Sequence, residues 1–289
     1  MSKIEVRLNP DTPPTGTDLS VVNAARRSFN TRSEWDYVTT KGIVPPEDEA
    51  HLYRLTLTLK DKDKRLIEFL ARGMTAADFD RFLESVDKVC EDDDMGVGDG
   101  KALVDKLWQW RNTPTHDTPF NHTFISFEVK APIFVRAQLV KHEYLILSEF
   151  SRRYITDGIE LYEPDYWRKA APNKKQGSLE EAVKEPFRIQ TFRDISTQES
   201  VNKSQEYLSD LFEELLEAGV APEQARMVLP QSTMTEWTWS GTLGAFAKMC
   251  QLRLHPEAQY EARLVAQEVY KHLKTQWPVA APALVEGVT

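Results

Sequence analysis

The chain has 289 residues, 41% of them hydrophobic and 28% charged, enough apolar material for a sizeable core in one large domain or two small ones. Its formal net charge of −9 excludes a general nucleic-acid binder, whose footprint on a polyphosphate is basic, while leaving room for a local basic pocket around one nucleotide. Cys90 and Cys250 are its only cysteines, too few for a disulfide framework and in keeping with a reducing compartment. No apolar run approaches the ~20 residues of a membrane span, and the first residues lack a signal peptide's apolar core, so cytoplasm is the expected location.

Ile4, Val6 and Leu8 alternate and predict a short strand that N-P-D-T-P-P terminates. Val21, Val22, Ala25 and Phe29 follow at helical spacing. Leu55, Leu57 and Leu59 alternate with polar neighbours and predict a second strand. A charged turn over residues 61–64 and a helix with Leu66, Ile67, Phe69 and Leu70 on its apolar face come next. Phe79, Phe82, Leu83, Val86 and Val89 predict an amphipathic helix, E-D-D-D-M-G-V-G-D-G a flexible acidic loop, and Leu103, Leu107 and Trp110 another helix. The acidic run lacks the ordered ligand spacing of a calcium loop and reads as solvated.

A polar loop from His116 to His122 leads into a strand in which Thr123, Ile125, Phe127 and Val129 alternate with Phe124, Ser126 and Glu128. Pro132 suits the first turn of a helix, and Ile133, Phe134, Ala137 and Val140 continue at helical spacing. Then Gln138, Lys141, His142, Glu143, Glu149, Ser151, Arg152 and Arg153 crowd among Tyr144, Leu145, Ile146, Leu147 and Phe150. A core helix would not tolerate so many ionisable groups and a solvated face would not need so many apolar ones; the mixture is that of a pocket wall. His116, His122 and His142 lack the cysteine or second well-spaced ligand of a zinc site, so no metal is expected.

Residues 162–178 predict a polar connection. Leu208, Leu211, Phe212, Leu215 and Leu216 form a helix face closed by Gly219, and Pro222 starts a helix that carries Arg226 and stops before Pro230. Trp237 and Trp239 read as core aromatics. Leu243, Phe246, Ala247 and Cys250 lead to Arg253, and Ala258, Ala262, Val265, Val269 and Leu273 define a long last helix. No internal repeat is present, so a single mixed α/β domain of the α+β type, residues 1–289, is expected.

K-H-E at 141–143 followed by S-E-F-S-R-R-Y at 148–154 resembles the signature of the flavin-dependent thymidylate synthases, an R-H-R triplet followed seven residues later by a serine, usually within N-E-x-S-x-R-Y. T-H-D-T-P-F-N-H, A-R-M-V-L-P, and L-R followed by A-Q-Y-E extend the resemblance in the family's order from about residue 108 to 275, with a weaker echo in V-V-N-A-A-R-R-S-F. The resemblance implies a central sheet flanked by long helices, residues 73–110 as an acidic helical insertion, and a homotetramer with sites between subunits. It implies C5 methylation of dUMP to dTMP, with FAD reduced by NADPH and with methylenetetrahydrofolate as carbon donor. By the same resemblance Arg253 activates the pyrimidine, and Gln138, Glu149, Ser151, Arg152, Arg153 and Arg226 join it in holding the nucleotide. Thr118, Lys141, His142, Glu143, Thr242, Gly244 and Lys248 are then placed at the flavin, as is the helix carrying A-R-R-S. The chain has no glycine-rich dinucleotide motif, so the flavin rests on the resemblance.

The residues bear on such chemistry independently. C5 of a uracil ring is a poor nucleophile, and a cysteine adding to C6 is one remedy. Cys90 sits among Asp and Glu that would raise its pKa, and Cys250 lies on an apolar helix face, so neither suits that role. The remaining remedy is a fixed cation at the N3/O2 edge, which favours the enolate-like ring and puts electron density on C5. An arginine there is a permanent charge, not an acid or base, and guanidinium forks suit the phosphate. Ser151 has no base and orienting group around it in the sequence, so no nucleophile is assigned to it.

The chain departs from the family at Lys141, which loses a bidentate fork, and at Glu143, which changes the local charge by two units. Ser148 and Thr242 stand where asparagine is usual, and Glu257 where histidine is common. The readings left open are a thymidylate synthase with a compensated pocket, a related flavin-dependent C5 hydroxymethylase or methylase acting on dUMP, dCMP or UMP, and nucleotide binding without turnover. A structural or interaction protein would leave the Arg226 and Arg253 spacing unexplained.

Overall fold

Alternation of apolar residues and helical spacing together build most of what is seen. A computed structural model describes residues 3–41, 53–73, 81–86, 116–172, 178–183 and 197–286. The strands are β1 (Glu5–Leu8), β2 (Asp36–Lys41), β3 (Tyr53–Thr58), β4 (Ile125–Pro132), β5 (Ile146–Glu149), β6 (Arg168–Ala170), β7 (Ser178–Ala182) and β8 (Met234–Gly241). The helices are α1 (Asp18–Arg26), α2 (Asp61–Arg72), α3 (Ile133–Leu139), α4 (Thr197–Glu217), α5 (Pro222–Ala225), α6 (Leu243–Arg253), α7 (Tyr260–Gln276) and α8 (Ala280–Val285). Chain contacts fall into two compact units. The sheet unit comprises Met1–Pro13, Ile125–Gly241 and Met249–Tyr270; the helical unit comprises Pro14–Phe124, Thr242–Lys248 and Lys271–Thr289.

The sheet unit is organised on one antiparallel sheet in the order β1-β4-β8-β5. Its centre is β4 against β8, with Phe127 opposite Trp239 and Val129 opposite Trp237. All four side chains are buried, and the two indoles meet edge to face at 6.4 Å. Each such buried aromatic contributes roughly 1.5–3 kcal/mol, which makes this pair of strands the rigid base for the loops at their ends. Among the described residues there are two further two-stranded sheets, β6 with β7 in this unit and β2 with β3 in the helical unit. The result is the mixed α/β class with a central antiparallel sheet.

The helical unit packs Val21 and Val22 of α1, Ile67 and Leu70 of α2, and Phe120 as buried side chains. Asp18 is buried here, and its carboxylate accepts the backbone N–H groups of Val279 and Ala280 at 3.0 and 2.9 Å. Burial raises its pKa, an effect that these two bonds to the charged form oppose.

Several local expectations change. The turn expected over residues 61–64 is the first turn of α2: Asp61 and Asp63 favour the positive end of a helix, and Asp63 is held by Arg26. Pro132 ends β4 and flanks α3 instead of lying inside its first turn. Phe29 leaves the helical face because α1 stops at Arg26 and Asn30 turns left-handed at φ 51°, so Phe29 is exposed. The polar connection contains β6 and ends on the first residue of β7. Most of the 73–110 stretch, Cys90 and the acidic loop included, lies outside the described residues; within it 81–86 are helical and Phe82 is buried. Among the described residues no helix is long and apolar enough to cross a membrane.

Candidate active site

The central stretch divides into helix, turn and strand, and the turn carries the triplet. Helix α3 ends at Leu139, and the His142 N–H donates back to the Leu139 carbonyl at 3.2 Å. Tyr144 then adopts φ 64°, left-handed backbone that costs a non-glycine residue roughly 1–2 kcal/mol. This reversal sends β5 antiparallel along β8, with Ile146 opposite Ser240. A strained residue persists where its surroundings over-determine it, and here it directly follows the triplet at 141–143. Lys141 and Glu143 are exposed, with no side-chain partner among the described residues, while His142 is half-buried.

Arg253, in the last turn of α6, reaches the same imidazole. Its Nε–H donates to His142 Nε2 at 2.9 Å. The accepting Nε2 carries no proton, so the neutral ring bears its hydrogen on Nδ1. Burial, and then the Arg253 cation, push the His142 pKa from 6.5 down to about 4, so the ring is neutral at pH 7. Burial also lowers the Arg253 pKa, yet a guanidinium stays charged. Its two terminal nitrogens have no partner among the described residues, which leaves a half-buried fork open to a ligand.

The other residues expected at the nucleotide lie in the same unit with different engagements. Glu149 on β5 is held by Arg136 at 2.7 Å and by the Thr235 hydroxyl at 3.0 Å. Gln138 bonds Gln259. Arg152 donates to the Asp157 and Gly158 carbonyls at 2.7 and 3.2 Å and lies over Phe150, so it closes its own loop. The Ser151 carbonyl accepts the Tyr154 N–H at 3.0 Å. Arg153 is exposed beside the Tyr154 ring, and Arg226 is exposed on a 3-10 turn without a partner among the described residues. Sequence reasoning misses Arg136 and Thr235: nothing in their spacing marks them as the groups that hold Glu149.

In the helical unit a cleft of about 1010 Å³ is lined by Thr118, Arg26 and Ser28 together with Lys62, Arg65 and His116. His116 stacks on Phe69 at 6.3 Å. Lys62 and Arg65 are exposed and unpaired among the described residues. The other expected flavin residues of this unit are tied to the loop beside Thr118. Thr242 donates to Asn121 Oδ1 at 2.7 Å and accepts the Ala245 N–H at 3.2 Å, capping α6 in place of an asparagine. A Cβ on Gly244 would lie 2.6 Å from that Asn121 oxygen, so glycine permits the close approach. Lys248 pairs with Asp117 at 2.8 Å. Among the described residues no three His, Cys, Asp or Glu side chains gather in a way that could hold a metal ion.

A family model described as thymidylate synthase complementing protein matches residues 15–279. A flavin-dependent thymidylate synthase of Thermus thermophilus is 37% identical over 190 residues, covering 66% of this chain and 65% of that protein. One from Treponema denticola is 35% identical over 187 residues, 64% and 66% of the two chains. The match thus spans slightly less than two thirds of these relatives' length. The fold is similar to that of a UMP/dUMP methylase, PolB from Streptomyces cacaoi, solved with 5-Br dUMP: TM-score 0.61, 23% identity, 99% of this chain and 96% of that one. With the family's pattern running through residues 15–279, the chain belongs to the thymidylate synthase complementing protein family.

Proposed function

We propose that this chain is a flavin-dependent thymidylate synthase, a methyltransferase that converts dUMP to dTMP without a cysteine nucleophile. The observation that carries the proposal is Arg253: a half-buried guanidinium fixed through Nε, with both terminal nitrogens open. Set against the N3/O2 edge of a uracil ring, such a fork stabilises negative charge on the oxygen and so raises electron density at C5. Its charge persists at any working pH, so it acts by position, not by proton transfer. Cys250 is buried, and burial pushes its thiol pKa up, which argues against a thiolate at that position.

Arg153 and Arg226, both exposed, suit the nucleotide phosphate. Glu149, held by Arg136 and Thr235, presents a fixed carboxylate for sugar or base, with the Ser151 amide region two residues on and Gln138 on α3 as further contacts. Arg152 serves this group indirectly, by holding the loop that Ser151 and Arg153 share.

The relatives' names bring a flavin, and the lining of the helical unit's cleft suits one: Lys62 and Arg65, exposed and unpaired among the described residues, offer cations to a pyrophosphate, and Phe69 with His116 offers planar surface to a ring. Thr118 lines that cleft; Thr242, Gly244 and Lys248 shape the loop next to it, and Lys141, His142 and Glu143 are assigned to the flavin by resemblance alone. Bound FAD, reduced by NADPH, supplies hydride, while methylenetetrahydrofolate supplies the carbon. A homotetramer is part of the proposal, supported by exposed Tyr144, Ile146 and Tyr154 on and beside the edge strand β5. So are a single catalytic domain over 1–289 with 73–110 inserted, and a cytoplasmic location.

The test is mass spectrometry of dUMP, UMP and dCMP incubated separately with the protein, FAD, NADPH and methylenetetrahydrofolate. A methyl gain on dUMP is expected. A hydroxymethyl gain, or turnover of UMP or dCMP in preference to dUMP, would transfer the proposal to the related C5 hydroxymethylase or methylase, for which exposed Glu143 is the motive.

A further inference from the structure

We infer that His142 is a positioning residue for Arg253, holding the guanidinium by a neutral acceptor so that its full charge stays available to the pyrimidine. The inference rests on the function proposed above. It starts from a contrast within the sheet unit. Arg136 is paired with the Glu149 carboxylate at 2.7 Å, and Arg168 is paired with the Glu261 carboxylate and lies 4.4 Å over the Tyr260 ring. Each of those cations is largely offset by its partner. Arg253 is held instead by an imidazole nitrogen at 2.9 Å. A carboxylate there would hold the side chain equally well and cancel the field it exerts on a ring beside it. A lysine or arginine would repel it, and an apolar residue would leave the rotamer free.

The backbone that carries the imidazole is held on both sides. The His142 N–H is bonded to the Leu139 carbonyl, and the next residue but one, Tyr144, takes left-handed backbone, so the turn places the Cα from which the ring reaches Arg253. With Nε2 accepting, Nδ1 carries the hydrogen, and the ring gives Arg253 geometry without charge. The turn carries the imidazole, and the imidazole holds the cation of an arginine far along the chain. This gives the histidine of the odd triplet a task that does not depend on Lys141 or Glu143.

The test compares wild type with His142→Gln, His142→Leu and His142→Glu, all checked for folding by circular dichroism and melting. Glutamine keeps a neutral acceptor, leucine removes it, and glutamate keeps an acceptor but adds charge. For dUMP, kcat of the leucine variant is expected to fall about 30-fold or more, with glutamine recovering roughly tenfold over leucine. The glutamate variant is expected to keep KM within about threefold of wild type while kcat falls about 100-fold, a split that a purely structural bond would not produce. A folded leucine variant with wild-type kcat, or a glutamate variant as active as the glutamine one, would overturn the inference. If the leucine variant does not fold, glutamine against glutamate decides. Wild-type protein that turns over no pyrimidine nucleotide refutes the proposed function and the inference together; normal wild-type turnover with an unimpaired leucine variant refutes the inference alone.

Discussion

Acidification reads the burial of His142 against Arg253 without any substrate. In the unfolded chain the imidazole takes a proton near its ordinary 6.5, whereas in the folded protein burial and Arg253 delay this to about 4. Between those values the unfolded state binds more protons, so the folded state loses stability as pH falls below 6.5, and the loss is complete below about 4. Above 6.5 both states hold the ring neutral and this group contributes no pH dependence. At pH 4.5 a shift of that size corresponds to about 2.6 kcal/mol for a fully enclosed ring, and the half-buried position, screened by water, reduces it to roughly 1–1.5 kcal/mol. The assay is urea denaturation of wild type and His142→Gln at pH 7 and pH 4.5. Other acid-labile groups are common to both chains, so the wild type should lose roughly 1–1.5 kcal/mol more than the variant on acidification. Equal losses in the two chains would mean that burial and the guanidinium do not together hold His142 neutral, and the half-buried placement of the ring against Arg253 would be wrong.

The wall of the helical unit's cleft depends on Asp63, which is fully buried and accepts Arg26 Nε at 3.1 Å and the Ser33 hydroxyl. Asp63→Ala strands a guanidinium and a hydroxyl and is expected to cost about 3 kcal/mol in urea denaturation; a loss under about 1 kcal/mol would show the ion pair to be incidental. Arg153→Ala and Arg226→Ala are each expected to raise KM for the nucleotide about tenfold, more steeply at low salt, while leaving the melting temperature unchanged, because neither side chain holds another element in place. A fallen melting temperature with unchanged KM would assign them to the fold instead.

Much of this architecture is legible in the residues, and the failures are physical. Strand β4 is visible because its apolar residues alternate, with Phe127 and Val129 buried and Glu128 and Lys130 only partly so; β1 keeps the same rhythm although Val6 is only partly covered and Leu8 is exposed. The helix that ends at Arg253 and the Gly219 terminus are visible for similar reasons: Leu243, Phe246, Ala247 and Cys250 share a buried face, and Gly219 takes φ 84° after α4. Strand β2 is not visible, because Tyr37 and Val38 are both exposed and no apolar rhythm marks the strand. The triplet's turn is hidden as well, since a tyrosine at φ 64° is not the glycine or asparagine that advertises a left-handed position. Motif order brings His142 and Arg253 into view as site residues, but not their contact, which spans 111 positions and leaves no local trace. Nor does sequence separate Arg152, spent on its own loop, from Arg153, left exposed beside it.

The central claim is that a fixed cation, not a thiolate, activates the pyrimidine. It is tested most directly by tritium release from [5-³H]dUMP under full turnover conditions, comparing wild type, Arg253→Gln and a Cys90→Ala/Cys250→Ala double variant. The account predicts release by the cysteine-free protein at close to the wild-type rate, and release by Arg253→Gln slowed by about 100-fold or more with the fold intact. A cysteine-free protein that folds but releases no tritium, or an Arg253→Gln enzyme that keeps its rate, would contradict it.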